Sequence, residues 1–92
     1  MKFTWDERKR RVNRQKHGVD FADVPAMFDL PVVTFYDQKK EYGEDRWVGI
    51  GWLADMLAVV VYTERLGDTI RIVSARKANR HEQKIYAEEI GD

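Results

Sequence analysis

Apolar residues along this chain change their spacing several times, and each change marks an element. In Lys2-Phe3-Thr4-Trp5 they alternate with polar neighbours, the period of a short strand. Over residues 7–17 the apolar signal nearly vanishes, with Val12 almost alone among charged residues. Caps define this segment instead. Asp6 fits an N-cap and Gly18 the left-handed position after the last turn. Lys16 and His17 fall in that last turn, where the helix dipole favours cations. The pattern predicts a surface helix that adds little to the core. Behind Asp20, Phe21, Val24 and Phe28 recur at helical spacing. Val19 and Val24 occupy the two positions of a hydrophobic staple, with Asp23 at N3. Pro25 weakens this second helix, and Asp29-Leu30-Pro31 ends it.

The period then changes to that of strands. Residues 32–36 are β-branched and aromatic, and residues 46–53 form the next strand. Residues 57–63 are almost continuously apolar, as expected of a central strand covered on both faces. Thr69 to Ala75 make the last strand. The acidic and polar stretch Asp37 to Asp45, the turn Ala54-Asp55-Met56 and the tight Leu66-Gly67-Asp68 connect them. Gly49 and Gly51 lie inside a strand, where missing side chains imply close packing. Asn79 with Glu82 three residues on fits a capping box, opening a helix to about Ile90. The order is β-α-α-β-β-β-β-α. Short connections predict an antiparallel meander of four or five strands with helices over one or both faces, an α+β two-layer domain spanning residues 1–92.

Charge changes this picture. The chain holds 16 Lys/Arg and 16 Asp/Glu, a net charge of zero. The sum hides a strong asymmetry. Residues 1–18 carry seven basic and two acidic residues, whereas residues 19–45 carry two basic and seven acidic. A basic face is therefore local, and the acidic stretch suits a basic partner. The absence of cysteine removes disulfides, thiolate catalysis and Cys-based zinc sites, and fits a reducing compartment. No apolar run approaches the roughly 20 residues that span a bilayer, and the first residues lack the apolar stretch of a secretory signal.

The residues able to carry chemistry are cations and two histidines. His17 can act as a general base or acid, or simply cap a helix C-terminus. His81, in the first turn of the last helix, reads as a surface residue. No HExxH or similar spacing points to a metal. Arg46, Arg65, Arg71 and Arg76 are attached to the sheet. An arginine amid apolar strand residues needs an ion pair or a groove, and for Arg71 either Glu44 or Glu64 is a candidate partner. Strict alternation places Arg71 with Val73 on one face, and Ile70, Ile72, Ser74 and Arg76 on the other. It also sends Glu64 and Arg65 to opposite faces. Tyr86 reads as core, or as a phenol reaching a groove. Trp5, Trp47 and Trp52 read as core rather than base-stacking platforms. The run Arg8-Lys9-Arg10-Arg11 wraps a helix and suits solvent or the backbone of RNA.

In these segments the chain resembles the BrnT-type toxins of bacterial type II toxin–antitoxin pairs. The matching stretches are FTWD at Phe3 to Asp6, Asn13, KHGVDF at Lys16 to Phe21 and MFDLP at Met27 to Pro31. They continue with Glu44 and Arg46, Gly51, VVVYTER at Val59 to Arg65, and RIVSARKANRHEQKIY at Arg71 to Tyr86. The resemblance implies a RelE-like fold and a cytoplasmic ribonuclease that cleaves RNA and halts translation and growth. It implies no cofactor and no metal. It implies a hetero-oligomer with a BrnA-type antitoxin, through which alone DNA is contacted. Carried over position by position, it implies catalytic roles for Lys16, His17, Glu64, Arg71, Arg76 and Tyr86, and substrate binding by Glu44, Arg46 and Arg65.

The chemistry expected is metal-independent attack of a ribose 2′-hydroxyl on the adjacent phosphate. His17 or Glu64 takes the proton, Lys16, Arg71 and Arg76 meet the phosphorane charge, and Tyr86 or His17 protonates the leaving 5′-oxygen. The alternative is a non-catalytic module that binds the antitoxin or nucleic acid in operon autoregulation.

Overall fold

A helix with almost no apolar face must be held by its ends and by polar docking, and the computed structural model, which describes residues 1–38 and 43–91, shows how. Strand β1 (Lys2–Thr4) leads into helix α1 (Glu7–His17). The Asp6 carboxylate accepts from the backbone N–H groups of Arg8 and Lys9, at 2.8 and 3.1 Å. Gly18 ends the helix at φ 72°, a conformation that strains any residue with a Cβ. Val12 is exposed, and the buried member of α1 is Asn13.

The next segment is divided where Pro25 predicted weakness. A 3₁₀ turn (Phe21–Asp23) precedes a single α-turn, α2 (Val24–Met27), with Asp20 capping the first by accepting from Ala22 N. Val19 and Val24 are both buried in one cluster, as the staple requires. Strands β2 (Val33–Tyr36), β3 (Trp47–Leu53), β4 (Met56–Arg65) and β5 (Thr69–Lys77) follow, then α3 (Arg80–Ile90). Helix α3 opens with the expected box: Asn79 Oδ1 accepts from Glu82 N and Glu82 Oε1 from Asn79 N, both at 2.8 Å. Of the connection predicted over Asp37 to Asp45, residues 39–42 lie outside the described residues.

The strands form one sheet in the order β1-β5-β4-β3-β2. Strands β2 to β5 make the predicted antiparallel meander, but β1 pairs parallel with β5, Lys2 opposite Thr69 and Thr4 opposite Arg71. The sheet is mixed rather than purely antiparallel. A three-residue edge strand at the chain start carries no local signal of its partner, so only the long-range packing of Phe3 against the core decides the pairing.

Helices occupy both faces, giving three layers rather than two. On one face the 3₁₀ turn and α2 pack Phe21, Val24 and Met27 over Ala58, Val60, Tyr62, Ile70, Ile72 and Ala75. On the other, α3 lays Ile85 and Tyr86 over Ile50 and Val59. Burial of β4 on both faces explains its continuous apolar run. A Cβ on Gly51 would approach Met27 and Val32 side chains to 3.2 Å, so α2 sits close because glycine is there. Trp52 departs from the expected core role: it is exposed, while Trp5 and Trp47 are partly buried against the larger core.

Candidate active site

The face on which each β5 arginine lies depends on one extra residue. Val61 of β4 stands opposite Ser74, yet Tyr62 stands opposite Ile72, so Val73 is inserted between them as a bulge. Ile70, Ile72 and Ala75 consequently all reach the larger core. Arg71, opposite Thr63, and Arg76, opposite Val59, then share the other face with Ser74. Strict alternation had separated the two arginines; the bulge brings them together.

Helix α1 borders this face. Where β1 stops, the Asn13 side chain takes over as partner of the β5 edge. Its Nδ2 donates to Ala75 O at 2.7 Å and to Val19 O at 3.0 Å, and its Oδ1 accepts from Ala75 N at 3.2 Å. One buried amide thus satisfies three backbone groups and fixes α1 against the sheet. The Arg10 guanidinium adds a second tie by donating to both Asp20 carboxylate oxygens, at 2.7 and 3.1 Å. That contact, with the Ala22 N–H, holds the Asp20 carboxyl down to about 2.

Between α1 and β5 lies an open groove of about 300 Å³ lined by Arg8, Lys9, Val12, Asn13, Lys16, His17, Val73 and Ser74. Its ionisable lining is entirely basic. Arg71 lies on the same sheet face as Ser74, roughly 7 Å away along the strand. Among the described residues Arg71 has no salt-bridge partner. Its charge reaches Asp6, whose carboxyl is held below its usual range mainly by the Lys9 and Arg8 N–H groups. Of the two alternatives for Arg71, the ion pair with Glu44 or Glu64 is not seen. Glu44 instead meets Arg65 at 3.1 Å and Arg46 at 3.9 Å. Arg65 Nε donates to the buried Thr63 hydroxyl at 3.1 Å, placing this pair beside Arg71.

Lys16 and His17 line the groove with Ser74, Arg71 lies on the same sheet face as Ser74 but outside that lining, and Arg46 and Arg65 both meet Glu44. The structure does not bring in the others. Glu64 stands opposite Ile70, on the other side of the sheet. The Tyr86 hydroxyl is nearly buried and donates to Pro31 O at 3.0 Å, fastening α3 to the start of β2. Arg76 is on the right face but donates to both Glu82 oxygens, at 2.8 and 2.7 Å. This contact raises the Arg76 pKa and lowers that of Glu82. Ser74 was given no role by sequence, and Arg8 and Lys9 were read only as part of the basic run Arg8-Lys9-Arg10-Arg11, suited to solvent or to RNA backbone. Helical spacing of 8, 12 and 16 is the signal that puts Arg8 on the Lys16 face.

Cations beside a hydroxyl, on a rigid edge and without carboxylates, are suited to holding a phosphodiester. Among the described residues, no three His, Cys, Asp or Glu side chains gather as a metal cage. Nor is any described helix long and apolar enough to cross a membrane.

Comparison with known proteins agrees with this chemistry. No curated protein sequence matches the chain. A crystal structure of the ribonuclease toxin BrnT from Brucella abortus superposes with a TM-score of 0.73 and 31% sequence identity, covering 87% of this chain and 99% of that one. A family model described as the ribonuclease toxin BrnT of a type II toxin–antitoxin system matches residues 5–82. The chain belongs to the BrnT family of ribonuclease toxins from type II toxin–antitoxin systems.

Proposed function

We propose that the groove between α1 and β5 holds an RNA phosphodiester and that the neighbouring ribose 2′-hydroxyl attacks it. The attack forms a 2′,3′-cyclic phosphate and releases the 5′-oxygen. The observation that carries this reading is Arg71: a strand-borne guanidinium with no salt-bridge partner among the described residues, on the same face as Ser74, beside a groove whose ionisable lining is basic. Its rigid fork meets charge developing on the non-bridging oxygens, with Lys16 supplying a second cation. His17 is the proton carrier, taking the 2′-hydroxyl proton or returning one to the leaving oxygen. Arg8, Lys9 and Ser74 position the backbone. Cations line the groove where a divalent metal would need oxygen ligands, so the reaction proceeds without one.

Family membership implies an antitoxin partner. We take it to be BrnA-type, forming a hetero-oligomer in the cytoplasm that represses its operon through the antitoxin's DNA contacts. The α+β frame is read as a RelE-like one, and RNA cleavage as the cause of arrested translation. The test is cleavage of single-stranded RNA by purified protein in EDTA, with product ends read by mass spectrometry. Arg71→Ala should lose about 10²–10³ in rate, the usual effect of removing one oxyanion partner. Undiminished cleavage by both Arg71→Ala and His17→Ala would remove the groove from the reaction.

A further inference from the structure

We infer that the solvent side of α1, around Arg11 and Gln15, is a second phosphate-binding surface that carries the RNA strand on beyond the groove. The inference rests on the proposed reading of the groove and names where the same substrate runs next. The structure divides the basic run at residues 8–11. Arg10 belongs to the fold, donating to Asp20 and Glu7. Arg8 and Lys9 line the groove. Arg11 does neither. At 3.6 residues per turn it lies nearly opposite Asn13, the residue docked on β5, and so on the far side of the helix. There Arg8, Arg11, Val12, Arg14 and Gln15 line an open hollow of about 530 Å³.

Arg8 and Val12 line both the groove and this hollow, so they form the crest between them. A strand held by Arg8 reaches the outer face by crossing one helix width, about 10 Å. No acidic side chain lines either side. Glu7, the nearest acid in sequence, engages Arg10 and the Trp5 indole instead. Among the described residues no ion pair engages the Arg8 or Arg11 guanidinium, and Arg14 reaches Asp20 only at 3.4 Å. Composition selects what covers this face. A protein interface is built on an apolar centre, and here one valine stands among three arginines and a glutamine. A polyanionic strand needs no such centre, because its phosphates exchange counterions for fixed cations. The strand that fills the groove is the one that reaches this face.

Arg11 is exposed and outside the groove lining, so it can be changed with the fold and the groove intact. The experiment compares Arg11→Ala and Arg11→Glu in anisotropy with two labelled 2′-O-methyl oligomers, a tetramer and a dodecamer. The tetramer fills the groove alone, and the dodecamer also crosses the crest. Removing one exposed charge contact should weaken dodecamer binding by about 2- to 5-fold, and reversing it by about 4- to 25-fold. The alanine variant should flatten the dodecamer's salt slope by about 0.7. Tetramer binding and thermal midpoints should not move, and cleavage of long RNA should lose in KM rather than in kcat. Equal weakening of tetramer and dodecamer would overturn the inference. So would equal weakening with duplex DNA of the same length, which would make the face a general anion surface. Lost antitoxin binding with dodecamer binding intact would give the face to an acidic antitoxin segment instead. Normal dodecamer binding by both variants, with the tetramer still bound and Arg71→Ala inactive, would overturn this inference and leave the groove reading standing. Wild-type protein that binds neither oligomer and cleaves no RNA would overturn both.

Discussion

Three buried or half-buried polar side chains, Asn13 on α1 and Arg71 and Arg76 on β5, act in different ways. Asn13 is fully committed to backbone groups of Ala75 and Val19. Replacing it with leucine leaves an N–H and two carbonyls without partners in a water-poor site, at about 1–3 kcal/mol for each group that water cannot reach. Asn13→Leu should therefore lower unfolding free energy by about 2–4 kcal/mol in urea denaturation. Arg71 and Arg76 make the converse comparison. Arg76 holds Glu82 and through it the start of α3. Arg76→Ala should lower the urea midpoint, whereas Arg71→Ala should keep the midpoint and lose RNA cleavage. Equal stability losses in the two variants would mean that Arg71 has a structural anchor after all.

Elements were legible in the sequence wherever their determinants are local. Asp6, Gly18, Asn79 and Glu82 act within four residues of the groups they cap, and all four were readable from spacing alone. Two features were not readable. The parallel pairing of β1 with β5 joins residues some 67 positions apart, Lys2 with Thr69. The bulge at Val73 inserts one residue whose type carries no mark of it, and it reassigns every side chain on one side of it. Candidate residues on β5 were therefore named by type but grouped wrongly by face. Tyr86 took its catalytic role from the resemblance, whereas its own sequence reading as core fits a buried ring whose hydroxyl donates to Pro31 O. Links between elements also set the acid response. The Asp20 carboxyl ties the 3₁₀ turn to α1 through Arg10, and its folded pKa of about 2 lies below the ordinary 3.8. The stabilisation is thus fully present above about pH 4 and is lost as pH falls toward 2. Glu82 is shifted in the same direction by Arg76 and adds to the effect. Asp20→Asn keeps an N-cap acceptor but carries no charge. Its urea midpoint should be lower than wild type at pH 7, and the two proteins should converge between pH 4 and 2.5. A constant difference across that range would show that the carboxylate charge has no part in the link.

At the scale of the whole molecule, a net charge of zero argues against strong RNA binding only if charge is spread evenly. It is not. The groove gathers Arg8, Lys9, Lys16 and His17 with no acidic residue among its lining, and Arg71 lies on the adjoining face. The acidic residues that balance them sit elsewhere: Asp20 is neutralised by Arg10, Glu82 by Arg76, and Glu44 by Arg65. Salt dependence separates a local site from a weak overall attraction. Each phosphate neutralised on a single strand contributes a slope of about −0.7 to log K against log salt. Four contacts, from Arg8, Lys9, Lys16 and Arg71, give a slope near −3, or about 50-fold weaker binding between about 50 and 200 mM salt. The measurement is anisotropy of a labelled 2′-O-methyl oligomer over that range. Lys16→Ala should reduce the slope by about 0.7, and Lys84→Ala, on α3 and outside the groove, should leave it unchanged. A slope near zero in the wild type would mean that the groove holds no phosphates, whatever its composition. A slope reduced equally by both substitutions would mean that the chain meets RNA through diffuse charge rather than through the surface that Asn13 and the β5 bulge build.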